Sequence, residues 1–460
     1  MATPRAEVVI CGAGIAGISA AYHLAVKHRV GRVLLVDERP PLSLTSDKST
    51  ECYRNWWPGP GDAMVRLMNR SIDLLDGWAR ESGNRFNLNR RGYLFATAEP
   101  ERVQQFAAAG EEAASLGAGR LRRHGPSGGE AAYVPAPSSG FEGQPDGSDL
   151  ITDPDLIRRH FPYLAPDTAA VIHPRRCGWF SAQQLGAFLL EEARASGAEV
   201  LLGRVAAVHT GGGRLRSVRV DGSGGSQLIE TDRLVLAAGP LLPSAAAMLD
   251  LELPVIAEWH VKVAMADPLR IVPRDAPLLI WTDEQRLAWS PDERRELAES
   301  EATRHLLGPF PAGVHARPEG PEDSPILLIL WTYHTEPRAP VFPGPVDPMY
   351  PEVALRGLAR MVPGLRAYVG RAPRPVVDGG YYLKTRENRP LIGPLPAQGA
   401  FVLGALSGYG LMAAAGAGEI LAAHVVGQEP PSYARAFLLE RYDDPVYQAL
   451  LENWGTTGQL

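Results

Sequence analysis

An α/β fold built on a doubly wound parallel sheet, joined to a second domain with a sheet of its own, is the architecture this sequence predicts. Three observations predict it. Residues 7–11 (EVVIC) read as a buried strand running into a glycine turn and a helix over 15–27, and residues 32–37 (RVLLVD) read as the next strand. Strand, helix and strand within about 30 residues make the unit from which parallel sheets are wound. Apolar and β-branched runs return at 255–282 and 326–333, and they suggest a second sheet. Finally, 460 residues exceed one simple core, and about 150 residues per domain gives two or three.

The remaining elements follow in order. Residues 61–81 have helical periodicity through Met64, Leu67, Met68, Ile72, Leu75 and Trp78. A strand is expected at 92–96 and a surface helix at 101–115. The Gly, Pro and Ser content of 117–148 marks an irregular insertion or loop. Helical periodicity resumes at 183–196, followed by strands at 199–202, 215–221 and 234–238. Residues 291–325 form a second excursion, charged and Pro-rich; 353–361 is helical, and 419–426 closes the last long helix.

Composition excludes several classes. Apolar residues make up 45% and charged residues 21%, ordinary for a globular enzyme. A net charge of −6 offers neither a nucleic acid nor a membrane surface a basic face. Cys11, Cys52 and Cys177 are too few and too far apart for a disulfide framework or a zinc site, which points to a reducing, cytoplasmic setting. The stretch 400–427 is interrupted by five glycines and Glu419, so no membrane span is expected. Of the 46 basic residues only Lys27, Lys48, Lys262 and Lys384 are lysines, leaving 42 arginines. Each surviving lysine marks a place to ask whether a compact ammonium is required.

Gly12-Ala13-Gly14-Ile15-Ala16-Gly17 lies between strand and helix. Its first glycine makes the tight turn, the second admits a pyrophosphate, and the third lets helix and strand pack closely. Asp37, with Glu38 beside it, is the carboxylate expected to bind ribose hydroxyls about 20 residues on. Flavin and nicotinamide dinucleotides share this fingerprint. Two features favour the flavin: the strand at 231–240 ends in small residues, and 401–412 (FVLGALSGYGLM) is a strand, a turn and a helix start. The free N–H groups of that helix start suit a negatively charged reduced ring.

The segments VVICGAGIAGISAAYHL, RVLLVD, STECYR, TDRLVLAAGP, KTRENRPLIGP and GALSGYGLM, spread from residue 8 to 412, resemble the D-amino-acid oxidase superfamily of flavoproteins, nearest its sarcosine oxidase and glycine oxidase branch. The resemblance implies FAD extended across a Rossmann-type domain, made of residues 1–85, 166–250 and 385–430. An α+β substrate domain with a mainly antiparallel sheet would comprise 86–165 and 251–384, with 431–460 as a C-terminal tail. Implied cofactor contacts add Lys48, Ser49, Thr50, Val205, Ala238, Gly239, Gly408, Tyr409, Gly410, Leu411 and Met412 to the glycine motif, Asp37 and Glu38.

The same resemblance implies catalytic positions. Arg54, ending STECYR, would grip a substrate carboxylate with both arms of its fork. His334, in TYHT, would face flavin and substrate, and Tyr382, in GYYLKT, would be an active-site aromatic. Departures are equally informative. The branch's oxygen-activating lysine becomes Leu330, and its flavin-linking cysteine becomes Gly380, so FAD is expected to be noncovalent. A second carboxylate-binding lysine becomes Met412, and the histidine of its turn becomes Tyr409. With half the carboxylate clamp missing, the pocket is expected to be more apolar and to take a larger amine, with Trp56, Trp57, Trp259 and Trp331 as candidate walls. Lys262, in the apolar run 261–266, is the candidate replacement for the lysine missing at Leu330.

The expected function is oxidation of the C–N bond of a secondary or tertiary amine, N-methyl or cyclic amino acid-like, by hydride transfer to flavin N5. Dioxygen or another acceptor would then take the electrons. A 2-hydroxy acid dehydrogenase and a flavin-binding protein without turnover are the alternatives.

Overall fold

Residues 4–129 and 132–454 are described by the computed structural model of the chain. Val8–Cys11 lies inside a six-stranded sheet ordered Glu199–Leu202, Val33–Asp37, Val8–Cys11, Leu234–Leu236, Ala400–Gly404, Leu391–Pro394. Every pair is parallel except the last. Buried on both faces, its strands are runs of Val, Ile and Leu rather than alternations. Ile15–Tyr22, Ala182–Ala195, Ala63–Glu81 and Gly410–Val426 share one apolar core with it. Small residues bring the helices together. A Cβ on Gly418 would collide with Ser19, whose hydroxyl donates to the Ala414 carbonyl at 2.7 Å.

The second sheet has ten strands among the described residues. Its order is Val376–Lys384, Ile256–Ala266, Ile326–Leu330, His315–Pro318, Leu278–Trp281, Tyr93–Thr97, Ala170–Pro174, Ser148–Ile151, Leu121–Gly125, Gly128–Gly129. It is antiparallel except where Leu278–Trp281 meets Tyr93–Thr97 and where Leu121–Gly125 meets Ser148–Ile151. Tyr350–Met361 packs on the face turned away from the first sheet's domain. A mixed α/β chain with one mainly parallel and one mainly antiparallel sheet is thus present.

Several expectations are corrected. The helix at 15–27 is α-helical over Ile15–Tyr22 and widens to a π-turn over His23–Lys27. The strand at 215–221 belongs to a separate antiparallel ribbon, Arg204–Gly211, Arg214–Gly222 and Gly225–Glu230. The expected loop at 117–148 contains strand Leu121–Gly125, and the excursion at 291–325 contains both helix Pro291–Glu299 and strand His315–Pro318 in mid-sheet. Ala170–Pro174 pairs within the second sheet, although it follows the boundary expected at 165. The tail is fastened by Glu387, whose Oε1 accepts from Arg441, Tyr442 and Tyr447. No helix among the described residues is long and apolar enough to cross a membrane.

Candidate active site

The glycine turn opens onto a cavity of about 550 Å³ between the two sheets. Gly12 has φ +115°, and a Cβ there would collide with the Ala237 carbonyl oxygen. Gly17 does not border the cavity; its missing side chain lets the helix sit on the Gly12 carbonyl. Asp37 fixes the turn, its Oδ2 accepting from Ala13 N at 2.8 Å and its Oδ1 from Arg39 N at 2.9 Å.

Of the expected cofactor residues, Gly12, Gly14, Ile15, Ala16, Asp37, Glu38, Ser49, Val205, Ala238, Gly239, Gly408, Gly410 and Leu411 line this cavity. Lys48, Thr50, Tyr409 and Met412 do not. The Lys48 ammonium is held between Asp47 at 2.7 Å and Asp378 at 2.8 Å. Burial works against that charge, but the two carboxylates outweigh it and raise the Lys48 pKa. The Thr50 carbonyl accepts from Arg317 Nε at 2.7 Å. Tyr409 turns inward, donating to the Asn388 carbonyl at 2.9 Å with its ring edge-on to Trp57, and Met412 joins the helix core.

Sequence reasoning missed Arg39, Leu42, Ser46, Arg219 and Ser407 on the cavity wall. These residues fit a dinucleotide. The buried Arg39 Nε and Ser407 Oγ have no hydrogen-bond partner among the described residues. Ala405 and Ser407 hold φ of +54° and +46° at the mouth of helix Gly410–Val426. Such strain in non-glycine residues gathers where a ligand is clamped. An extended FAD would thus be held by the glycine turn, by Asp37 and by this helix start.

Tyr382 is the one expected catalytic residue that borders the cavity. It stands opposite Glu258 on the paired strand, and a Cβ on Gly408 would strike its ring. Lys262 lies on the same face, since Glu258, His260 and Lys262 alternate along one strand. Its Nζ donates to the carbonyls of Asp47 at 3.1 Å and Ser49 at 3.2 Å, and burial lowers its pKa. One row crosses the sheet in register: Asp378, Lys262, Leu330, His315, Ile280, Phe95. Lys262 is thus the direct neighbour of Leu330.

Arg54 ends strand Cys52–Arg54, is 7% exposed, and lies over the Trp57 ring at 4.8 Å. Burial pulls its pKa down, and Tyr93 is among its electrostatic neighbours. Glu51 is taken by Arg317 at 3.0 Å. Burial, together with the charges of His260 and Arg54, holds His315 down to about 4. The Arg54 charge is felt at His315 in that row, and at its Phe95 end Trp56 meets Phe95 at 5.3 Å between centroids.

His334 lies apart from the cavity. Its side chain is 46% exposed, and its Nε2 is 3.9 Å from Asp347. Trp331 is on the far face of the sheet, packed on Gly357, and Trp259 packs on Tyr381 without itself bordering the cavity. Strand alternation therefore removes both from the expected walls and leaves Trp56 and Trp57.

The family model for FAD dependent oxidoreductases matches residues 7–424. No curated protein sequence matches the chain. Similar folds include L-proline dehydrogenase from P. horikoshii, at 18% identity and TM-score 0.73, covering 96% of this chain and 99% of that one. Glycine oxidase from Geobacillus kaustophilus is also 18% identical, with TM-score 0.71 and coverages of 95% and 99%. Iminodiacetate oxidase from Chelativorans sp. is 18% identical, with TM-score 0.67 and coverages of 94% and 98%. With the glycine turn, Asp37 and a helix start around one cavity, and a family match over nearly its whole length, the chain belongs to the FAD dependent oxidoreductase family of the D-amino-acid oxidase superfamily.

Proposed function

We propose that the protein oxidises the C–N bond of a secondary or tertiary amine carrying a carboxylate and an apolar body. The observation that carries this reading is the buried Arg54 guanidinium over the Trp57 ring with Tyr93 among its neighbours, together with Trp56 against Phe95 and Leu330 between Lys262 and His315 in one row. A single guanidinium fork orients one carboxylate, and the aromatic and aliphatic floor desolvates the rest. The similar folds, a proline dehydrogenase, a glycine oxidase and an iminodiacetate oxidase, agree with an amino acid-like amine.

Bound FAD supplies the acceptor, at N5, for the hydride leaving the substrate carbon. The chain orients the substrate through Arg54 and excludes water with Trp56, Trp57 and Phe95. Lys262 sets a cation beside the segment containing Ser49, and we assign it the stabilisation of negative charge that would arise beside bound FAD when electrons pass on to an acceptor. Attachment is noncovalent: Gly380 stands where a linking cysteine would be, against Lys48 and Thr45, and burial holds the cavity-lining Cys11 thiol up at about 12.

An anaerobic bleaching screen tests the reading. N-methyl amino acids, proline analogues and bulkier amines should bleach the bound flavin, and 2-hydroxy acids should not. Bleaching by a hydroxy acid alone, or by nothing in the panel, overturns it. Admitting oxygen to the bleached Lys262→Met variant should recolour it more slowly than wild type. Equal recolouring would leave Lys262 a fastener of the 47–49 loop.

A further inference from the structure

His260 holds a more complete set of partners on the cofactor side of the sheet than His334 does. Its Nδ1 lies 3.1 Å from the Thr332 hydroxyl and its Nε2 3.2 Å from Glu258 Oε2. The other Glu258 oxygen takes the Lys384 ammonium at 2.7 Å. The Tyr382 ring stacks on the imidazole, with centroids 3.9 Å apart and planes 15° from parallel. Tyr382 is a wall of the cofactor cavity, so the cluster is one layer behind it.

The donor and acceptor roles follow from these partners. An ionised carboxylate only accepts, so Nε2 carries the ring proton and Nδ1 accepts from the Thr332 hydroxyl. The charges of Glu258 and Lys384 cancel, which leaves a neutral imidazole with one proton to gain. Glu258 and His260 are 4% and 7% exposed, whereas Thr332 is only half-buried. The chain of bonds therefore has a buried end at the carboxylate and an open end at the hydroxyl.

We propose that Thr332, His260 and Glu258 form a proton relay, in which the Thr332 hydroxyl meets the substrate ammonium and passes its proton inward to His260. The inference rests on the amine reading. In the step, the ammonium N–H bond breaks and its proton goes to Thr332 Oγ as the Thr332 O–H proton moves to Nδ1. The amine is left with its lone pair. When the C–H bond breaks, its electron pair leaves as hydride to bound FAD, and the nitrogen lone pair forms the C=N bond. The imidazolium stands against the Glu258 carboxylate until it returns the proton through Thr332 to water after the product leaves.

The groups facing His260 allow this traffic. Burial lowers its pKa; Glu258 opposes that shift, and the Lys384 charge adds to it. Lys262 is two residues along the same strand, Tyr382 is stacked on the ring, and His315 is coupled electrostatically to both His260 and Arg54. At neutral pH the ring is the vacant member of the cluster.

Nuclear magnetic resonance of FAD-loaded protein labelled at its histidine ring nitrogens reads the relay directly, His260 being assigned by its disappearance in His260→Gln. The expected wild-type signal at pH 7 is a neutral ring protonated at Nε2. Glu258→Gln should abolish the single tautomer, Thr332→Val should move the Nδ1 resonance, and Thr332→Ser should restore it. In anaerobic bleaching by an active amine, Thr332→Val should slow reduction about 100-fold at pH 7 and recover as pH rises toward the amine's own pKa. An imidazolium or mixed tautomers at pH 7 overturn the relay, as does a Thr332→Val pH profile equal to wild type. Failure of every amine to bleach wild type removes the amine reading and the relay together. An active amine indifferent to Thr332→Val removes the relay alone.

Discussion

Keeping a guanidinium charged at 7% exposure requires compensation, and the Trp57 ring face at 4.8 Å supplies part of it. Arg54→Met should weaken carboxylate-bearing substrates by about 1.5–3 kcal/mol, the range for a charged hydrogen bond. Amines without a carboxylate should be nearly unaffected, and binding titrations of matched pairs read the difference. Equal losses for both would make Arg54 a structural cation under Trp57. Such residues were legible in sequence only where a motif surrounds them. Arg54, Tyr382 and the glycine turn carry flanking patterns. His260 carries none, and the TYHT motif that begins at Thr332 pointed to His334 instead, because the pairing of Thr332 with His260 comes from a cross-strand approach that no linear spacing announces.

Among the elements, the parallel strands were legible because burial on both faces writes itself as unbroken apolar runs. Strand Leu121–Gly125 was not, since the two side chains it buries, Arg122 and His124, are polar. Arg122 pairs with Asp149 in two bonds, of 2.7 and 2.9 Å, and His124 and Arg175 share the same carboxylate. Strand His315–Pro318 was hidden in the same way, by Arg317 bonded to Glu51, Glu319 and the Thr50 carbonyl. Periodicity reports transfer of apolar surface, and it cannot see a strand whose burial is compensated by ion pairs. The proline-rich flanks strengthened the wrong impression, because both strands follow glycine- or proline-containing turns.

Across the whole molecule, buried neutral histidines set the acid limit of stability. Burial lowers His173 to about 3 and His23 and His315 to about 4, against 6.5 for an exposed imidazole. Below 6.5 the unfolded chain takes up protons that the folded chain refuses, so stability falls with pH. Each histidine contributes about 1.4 kcal/mol per pH unit across its own gap. Thermal midpoints should stay level above pH 6.5 and fall between pH 6.5 and 4, before most carboxylates protonate. A midpoint unchanged down to pH 4.5 would contradict these buried states.

The six-stranded sheet also fixes an order of events during synthesis. Its strands come from residues 8–37, 199–202, 234–236 and 391–404, and the last parallel one pairs with Leu234–Leu236. A nascent chain emerging from the ribosome therefore displays Gly12 and Asp37 long before Ser407 or the start of helix Gly410–Val426 exists. Until nine-tenths of the chain has been made, the glycine turn faces half a socket. Loading with FAD is consequently a late event, coupled to closure of the sheet, and a chain cut short before residue 400 retains the fingerprint of a flavoprotein without the means to hold the flavin.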